Sequence, residues 1–420
     1  MLKGKQGVHM EQQTIKQLFH QEFSKMVAVI SGLYGLSDIQ VAEDVVSETF
    51  LQAAETWGIE GEPENPTAWL YAVAKNKALY YFRRTKLFDD KISPELSLRQ
   101  EQDRGLPEPD FSLQNIRDSQ LKMLFAICHP AIASEAQIGL ALRILCGFGI
   151  NEIAEAFLTN KETINKRLFR ARKKLRTENI MMELPPENEI KSRIDNVLQI
   201  IYLLFNEGYY SKTQNQVLQK DLCLEAMRLA LMLSQNEQTD LPRTNALMAL
   251  MCFHASRFDA RQTAGGRTIL YDRQNDELWD TALIKQGMYF LERSAEGNEI
   301  SSYHLEARIA YWHCIKEDTP AKWKDILHLY DQLLKVNYSP SVALNRIYAL
   351  YKVKGAQRAL AEAEELNVEN NHFYFVLMGE LYSNTDPDKA KNFLKKAWNL
   401  AKTQSEKQII QEKIDCQIST

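Results

Sequence analysis

The sequence predicts an all-α fold, and three observations indicate it. Apolar residues recur at intervals of three and four along most of the 420 residues, whereas the period-two alternation of strands is scarce. The periodic stretches are separated by short breaks that contain Gly, Pro or polar residues. A hydrophobic content of 45% and a charged content of 25% are typical of a soluble globular protein, and the length allows two or three domains.

Four blocks follow one another along the chain. Residues 10–88 contain three predicted helices, and Pro66 is well placed to begin the third. Residues 89–120 are polar and acidic, contain two prolines in the stretch LPEPD and are interpreted as a flexible linker. Residues 121–178 contain shorter helices, and residues 186–420 contain a long series of helices. We expect the first and third blocks to fold as separate modules joined by the linker.

Internal similarity near the C-terminus predicts a repeat architecture. Two helical stretches align so that Tyr351 falls on Tyr382 and Ala359 falls on Ala390, and both pairs are 31 residues apart. This offset is near the period of about 34 residues in tetratricopeptide repeats, whose helix pairs stack into a solenoid. We therefore expect an α-helical solenoid similar to tetratricopeptide repeats in residues 186–420.

The stretch LTNKETINKRLFRARKKLR, residues 158–176, predicts a basic helix with one buried face. Thr159 and Glu162 have the spacing of a capping box, and a short helix, INEIAEAFL, precedes the turn. Two short helices of this kind, the second one basic, form a helix-turn-helix candidate. The residues predicted to be buried are Ile164, Leu168, Ala171 and Leu175.

The outer face of this basic helix combines cations with polar side chains. A run of Lys and Arg is often only a solvated face, but a nearly uniform positive sign is unfavourable on an isolated helix. We therefore expect this face to bind duplex DNA, with both phosphate contacts and base readers among its members. The candidate residues are Lys161, Thr163, Asn165, Lys166, Arg167 and Arg170.

Two further helices with candidate binding residues lie in the first block, residues 10–88. Its third helix places Trp69, Tyr80 and further aromatic residues among Lys and Arg, a pattern typical of single-strand binding but also compatible with core packing. Its middle helix, AEDVVSETFLQAAETW, is predicted to have an acidic outer surface that faces a basic partner protein or water. The acidic residues are Glu43, Asp44, Glu48 and Glu55, over an apolar face of Val45, Val46, Phe50, Leu51 and Ala54.

Several classes of function and location find no support in the sequence. The net charge is −4, so any affinity for nucleic acid must come from local clusters. The six cysteines lack zinc-site spacing and are interpreted as reduced, buried thiols, and no phosphate-binding or catalytic motif occurs. We expect no enzyme activity, metal or cofactor. With no signal peptide and no apolar stretch long enough to span a bilayer, we expect a cytoplasmic protein without a membrane partner.

Residues 12–178 resemble an extracytoplasmic-function (ECF) sigma factor. The stretches that carry the resemblance are AEDVVSETFLQA, NPTAWLYAVAKNKALYYFRR and, beyond the linker, LALRILCGFGINEIAEAFLTNKETINKRLFRARKKLR. The remainder is similar to the ECF group with a large C-terminal tetratricopeptide-like domain. The matching stretches there are IYLLFNEGYYSK, LMALMCFHASRFDAR and DELWDTALIKQGMYFLERSA.

The resemblance implies a promoter-specificity subunit of RNA polymerase. Residues 10–88 would be region 2, in which Asp44 and Glu48 face the β′ clamp helices and the loop GIEGEPENP captures a flipped base of the −10 element. Residues 121–178 would be region 4, which docks its basic helix in the −35 major groove, and the β flap would be a further polymerase contact. The separated non-template strand would be held by Trp69, Lys75, Tyr80, Arg83 and Arg84.

The C-terminal block would regulate such a factor, either by inhibiting it or by assisting it. Asn206, Glu207 and Tyr209 are predicted to end a helix at Gly208 and to form a candidate surface for a regulatory protein or a ligand. The alternative is that Tyr209 only seals a helix pair. Two other functions stay open: a stand-alone helix-turn-helix regulator with a solenoid sensor that does not need polymerase, and a scaffold whose solenoid binds peptides.

Overall fold

The computed structural model consists of helices, with no strand in the part of the chain that it describes. The all-α fold class predicted from the sequence is therefore confirmed. The chain forms two compact units, the N-terminal unit (Met1–Thr239) and the C-terminal unit (Asp240–Thr420). The structure describes residues 3–92, 107–209, 216–261, 263, 269–366, 368, 370–402 and 404–416.

The N-terminal unit is built around the apolar faces of its first two helices. Phe23, Met26 and Ile30 of the first helix are fully buried, as is Val46 of the second. A 3-10 turn at Leu36–Asp38 joins the two helices. The helices of this unit are α1 (Lys3–Tyr34), α2 (Ile39–Glu60), α3 (Pro66–Ile92), α4 (Leu113–Ile127), α5 (Ser134–Leu140), α6 (Ile150–Ala156), α7 (Lys161–Thr177), α8 (Glu187–Tyr209) and α9 (Gln216–Ser234).

The flexible linker predicted at residues 89–120 differs from the structure at both of its ends. Its first residues belong to α3, and its last residues belong to α4. Ser112 Oγ accepts a hydrogen bond from the Asn115 N–H at 3.4 Å and so caps α4, while Ile116 in the first turn of α4 is buried. Residues 93–106 lie outside the described residues.

The expectation of two separately folded modules in the first 178 residues is wrong. Helix α4 packs along α1, and a π-helical turn that continues α5, Ala141–Leu145, also packs against α1. Gln120 Nε2 of α4 donates to Ser24 Oγ of α1 at 3.2 Å within this buried contact. The physical reason is that the C-terminal half of α4 is apolar nearly all round, so it needs neighbours on more than one side.

The helix-turn-helix predicted from the sequence corresponds to α6, α7 and the turn between them. All four residues predicted to form the apolar face of α7 are at most 3% exposed. The predicted capping box of Thr159 and Glu162 is wrong, because the helix is capped one residue later. Asn160 Oδ1 accepts a hydrogen bond from the Thr163 N–H at 2.8 Å.

The C-terminal unit is a series of helices with small apolar clusters between neighbours. Tyr351 and Tyr382, which the internal alignment pairs, both pack against the cluster that contains Ala359, while Ala390 is fully buried. The comparison with tetratricopeptide repeats stays a prediction. The helices are α10 (Pro242–Ala255), α11 (Phe258–Arg261), α12 (Thr281–Ser294), α13 (Ser302–Trp312), α14 (Pro320–Val336), α15 (Pro340–Lys354), α16 (Ala356–Glu364), α17 (His372–Tyr382), α18 (Pro387–Leu400) and α19 (Gln404–Cys416).

Gly208 is the penultimate residue of α8, near the helix end as the sequence predicts, and it also has a packing role. A Cβ atom added there would lie 2.5 Å from the Gln219 backbone oxygen and 2.6 Å from Cys223 Sγ, both on α9. The absence of a side chain at this position therefore allows α8 and α9 to pack closely.

We predict that Gly208→Ala lowers the free energy of unfolding of the N-terminal unit by about 2 kcal/mol, because a methyl group meets backbone that cannot move aside. Chemical denaturation followed by circular dichroism measures the effect. Gly58→Ala is the matched control in α2, because a Cβ there meets nothing within 4 Å. Equal unfolding free energies for the two variants would contradict the packing role of Gly208.

Candidate functional site

The basic face of α7 is accessible in the structure. Lys161, Thr163, Asn165, Lys166 and Arg170 are all exposed, as the sequence predicts. Because residues advance by about 100° along a helix, Lys166 points directly away from the buried stripe of α7. A capped turn precedes this face, and its exposed side chains are free to contact another molecule.

Arg167 is the least accessible of the six residues predicted on this face. Its Nη2 lies 3.1 Å from Glu135 Oε2 of α5, and its guanidinium lies 5.5 Å from the centre of the Phe157 ring. Since Glu135 is largely exposed, this ion pair is weak and a phosphate group can replace the carboxylate.

Four of the five residues predicted to hold a single strand share one face of α3. At about 100° per residue, Trp69, Tyr80, Arg83 and Arg84 fall within one sector of the helix. Tyr80 is 69% exposed and both arginines are exposed, so a ring and two cations are presented together. Trp69 is half-buried and packs edge-on against Trp57 of α2, with 5.4 Å between ring centres.

Lys75 lies on a different side of α3 and contacts an acidic residue. Its Nζ is 2.5 Å from Glu108 Oε2, and this cation holds the pKa of the Glu108 carboxyl below its usual range. The segment around Glu108 is held against α3 by the stacked rings of Tyr71 and Phe111, 4.7 Å apart. The Glu108 carboxylate therefore lies beside Lys75, where a phosphate of the predicted single strand would bind.

The exposed surface of α2 is a stripe of three carboxylates around one leucine. Asp44, Glu48, Leu51 and Glu55 are exposed and recur at intervals of four, three and four. Leu51 is 60% exposed, which corrects its predicted place in the core. Burial raises the pKa of the Asp44 carboxyl, while the Arg172 charge opposes this effect. A single exposed apolar side chain is common on protein surfaces, so the distinguishing feature of this stripe is its run of carboxylates, of which Glu48 lies 3.6 Å from Lys77 Nζ.

Glu43 was predicted to lie on this acidic outer surface, but it is only 5% exposed. Its Oε1 accepts a hydrogen bond from Arg143 Nε at 3.0 Å, and its Oε2 lies 2.6 Å from Arg172 Nη2 of α7. The helical spacing already contained this signal, because Glu43 follows buried Ile39 by four residues and precedes buried Val46 by three.

This buried ion cluster, Glu43 with Arg143 and Arg172, joins α2 to the helix-turn-helix. The Arg143 guanidinium also lies 4.8 Å from the centre of the Phe23 ring of α1. A second link comes from Arg176, whose Nη2 donates to the Ser37 carbonyl oxygen at 2.9 Å. The basic helix and the acidic helix are therefore held side by side, which the sequence analysis did not anticipate.

Helices α8 and α9 bond to α4 and to the π-helical turn, Ala141–Leu145, that precedes α6. Arg193 Nη2 of α8 donates to the Phe125 carbonyl oxygen at 2.8 Å, and Asn196 Nδ2 donates to the Cys128 carbonyl oxygen at 2.5 Å. Arg228 Nη2 of α9 donates to the Leu145 carbonyl oxygen at 2.6 Å. These three side chains bond carbonyls at the ends of α4 and the π-helical turn, where intrahelical partners are lacking.

The candidate regulatory surface of Asn206, Glu207 and Tyr209 is not formed as predicted. Tyr209 is 8% exposed and stacks on Phe205, with 5.4 Å between the ring centres, because the close approach of α8 and α9 encloses it. Asn206 and Glu207 are half-buried, and burial raises the pKa of the Glu207 carboxyl. Tyr209 is therefore a packing residue.

Metal sites and membrane-spanning helices are both absent from the residues that the structure describes. No group of three or more His, Cys, Asp or Glu side chains among them is arranged to hold a metal ion. None of the helices described is both long enough and apolar enough to cross a membrane. Of the cysteines, Cys128, Cys146, Cys223 and Cys252 are buried, as predicted.

Comparison with known proteins identifies two families within the chain. Residues 19–88, which include α2 and most of α3, match the family described as Sigma-70 region 2. Residues 193–295 match a family of unknown function (DUF6596). The "Uncharacterized protein R00370" of Rhizobium meliloti (strain 1021) is 31% identical over 341 residues, which cover 80% of each chain. No solved structure matches this chain.

The region 2 match contains the acidic stripe of α2 and the aromatic and basic face of α3. Both of the surfaces predicted to be functional in residues 10–88 therefore lie within this one match. The chain belongs to the same family as the Rhizobium meliloti protein and contains a Sigma-70 region 2 domain, which supports a sigma-factor role in promoter recognition.

Proposed function

We propose that this protein is an ECF-type sigma factor that binds core RNA polymerase and directs it to promoters in the cytoplasm. The region 2 match over the acidic helix and the aromatic and basic helix is the observation that carries the proposal. In the proposed complex with polymerase, the β′ clamp helices are bound by Asp44, Glu48 and Leu51. The face of α3 holds the non-template strand of the −10 element, and the loop between α2 and α3 receives a flipped base.

Helix α7 reads the −35 element in the major groove, and the β flap of polymerase holds the same helix-turn-helix. The capped turn, the buried stripe and the exposed cations support this role. Lysines of this face bind phosphates, while Asn165 and Arg170 are suited to hydrogen-bond base edges.

The buried ion cluster holds the proposed sigma factor in a closed resting state. The −10 and −35 elements lie about 25 base pairs apart, or roughly 85 Å at about 3.4 Å per base pair. Packed helices are spaced by about 8–10 Å, so two faces that are both tied to α2 lie within roughly 30 Å. One molecule in this arrangement does not reach both elements. The factor therefore opens between α2 and α7 when it engages polymerase and a promoter.

The C-terminal helical region controls this opening. The first helices of residues 186–420, α8 and α9, belong to the N-terminal unit and bond α4 and the π-helical turn through Arg193, Asn196 and Arg228. The same π-helical turn carries Arg143 of the buried ion cluster, which supports a direct mechanical role. Tightening these bonds keeps the factor closed, and releasing them frees α7. A regulatory protein or a ligand of the C-terminal region is the expected source of the signal.

The test of the proposed function is association with core polymerase. The purified chain is mixed with core RNA polymerase and passed over a gel-filtration column. We expect co-elution, followed by sequence-specific retention of a forked promoter library. A stand-alone regulator would instead bind duplex DNA alone and elute apart from polymerase, and that outcome would overturn the proposal.

We predict that Lys166→Ala weakens promoter binding about tenfold and lowers the slope of log affinity against log salt by about one, because one phosphate contact is lost. Promoter binding by the holoenzyme, measured from low to moderate salt, gives both values. Lys335→Ala is the control, since this exposed lysine lies in the C-terminal unit. An unchanged slope would remove Lys166 from the phosphate contacts.

A further inference from the structure

A buried cluster of cations and aromatic rings lies inside the C-terminal unit. It forms where the ends of α10 and α13 and the start of α14 meet the segment 269–280, and we call it the basic cluster. Tyr271 is at its centre: the ring of His313 lies 5.2 Å from its ring centre, and that of Trp279 lies 6.3 Å away. The members are Arg257, Tyr271, Gln274, Trp279, His313 and Lys322.

Two buried cations flank the Tyr271 ring. Arg257 is 7% exposed with its guanidinium carbon 5.6 Å from the ring centre, and Lys322 is 1% exposed with its Nζ 5.5 Å away. Lys322 Nζ donates to Tyr271 Oη at 3.2 Å and to the Ile315 carbonyl oxygen at 2.6 Å, so its bonds are to neutral groups. Both cations therefore lie against the Tyr271 ring.

Neither cation has an acidic partner within ion-pair distance among the residues that the structure describes. Of the nearby carboxylates, Asp318 contacts Lys352 Nζ at 2.6 Å and Asp276 lies 3.8 Å from Lys316 Nζ. Glu317 is exposed and acts on Lys322 through its charge without forming an ion pair with it. Burial lowers the pKa of Lys322. Buried charges in proteins are normally paired, so two unpaired cations in one place call for an anion.

Other buried polar atoms in the cluster also lack hydrogen-bond partners among the described residues. They include Arg257 Nε, Trp279 Nε1 and His313 Nδ1, and the first two belong to side chains that are 7% exposed. Burial lowers the pKa of His313 to about 3, and the charges of Arg257 and Lys322 act in the same direction. Arg257 and Trp279 offer donors that an oxygen-bearing anion accepts.

The position of Lys322 on α14 adds an independent argument. It lies in the first turn of a 17-residue helix, where the helix dipole favours an anion and disfavours a cation. Thr319 Oγ1 caps the helix by accepting the Lys322 N–H at 3.3 Å. A buried lysine in this place becomes favourable when a negative group lies between it and Arg257.

We propose that the basic cluster is a binding site for a small oxyanion, a phosphate or carboxylate group carried by a small molecule. The guanidinium of Arg257 and the ammonium of Lys322 hold the anion, the Trp279 N–H donates to it, and Tyr271 and His313 form the walls. The site belongs to the C-terminal unit alone and does not depend on the proposed sigma activity.

The test measures thermal unfolding and isothermal titration calorimetry of the full chain with inorganic phosphate and pyrophosphate in one arm and acetate and citrate in the other. Chloride at equal ionic strength is the reference. We expect one arm to raise the unfolding temperature of the C-terminal unit with concentration, and that arm identifies the anion. Arg257→Gln and Lys322→Met are each expected to weaken the binding at least tenfold.

Lys322→Met separates a binding role from a structural one. Removing an unpaired buried charge leaves the unfolding temperature without anion unchanged or higher, whereas a structural lysine would lower it. Lys324→Met, an exposed lysine on the same helix, is expected to bind the anion like the parent chain. No response beyond chloride in either arm, or a response that survives both Arg257→Gln and Lys322→Met, would overturn the proposal.

Discussion

Reversing the charge of the acidic stripe, with Asp44→Arg and Glu48→Arg together, is expected to abolish association with core polymerase and to reduce promoter-directed transcription at least 100-fold. The two carboxylates are exposed, and Leu51 lies beside them at 60% exposure. Two like-charge contacts at a charged interface cost several kcal/mol, and each 1.4 kcal/mol is a factor of about ten. Gel filtration with core polymerase and run-off transcription measure the loss.

The control for this double variant changes the net charge by the same amount elsewhere. Glu237→Arg and Glu296→Arg are exposed positions outside the region 2 match, and this pair is expected to leave polymerase binding intact. Because the acidic stripe is on the surface, the Asp44→Arg, Glu48→Arg chain keeps its helical circular dichroism. Normal co-elution of a folded double variant would exclude α2 as the polymerase contact.

Breaking the buried ion cluster with Glu43→Gln is expected to lower the free energy of unfolding of the N-terminal unit by about 3 kcal/mol and to favour the open form. The substitution leaves Arg143 and Arg172 buried without their carboxylate, which is the costly way to break a buried pair. Dyes at Ile59 and Phe169, both largely exposed, report the distance between α2 and α7 by energy transfer. The mean distance is expected to increase.

Glu55→Gln is the matched control, because it makes the same chemical change on the exposed side of α2. It is expected to leave both the unfolding free energy and the energy transfer as in the parent chain. In a transcription assay with limiting polymerase, Glu43→Gln is expected to give more product than Glu55→Gln. Equal energy transfer in the two variants would show that the ion cluster does not keep the unit closed.

The helices and most of the exposed candidate residues were predictable from the sequence, because they depend on local periodicity. The buried stripe of α7, the start of α3 at Pro66 and the exposed cations of α7 follow from spacing alone. Glu43 and Leu51 were assigned to the wrong sides of α2, although their intervals from Ile39 and Asp44 contain the answer. The side of the helix that each residue faces depends on its angular position around the helix axis, not on its residue type.

The features that the sequence did not predict depend on contacts between distant residues. Glu43 and Arg143 are 100 residues apart, and no local pattern pairs them. The same holds for the bonds from α8 and α9 to α4 and the π-helical turn, and for the basic cluster, whose members come from separate helix ends and a connecting segment. The packing role of Gly208 is a further case, because its close neighbours Gln219 and Cys223 belong to the next helix.

Transcription reconstituted from purified components tests the central claim most directly. Core RNA polymerase, this chain and a library of linear promoter fragments are incubated with nucleotides, and the 5′ ends of the products are mapped. The account predicts products that begin at defined positions downstream of a shared pair of sequence elements, and no such products when the chain is left out. Start sites that are unchanged by the presence of the chain would contradict its role as a sigma factor.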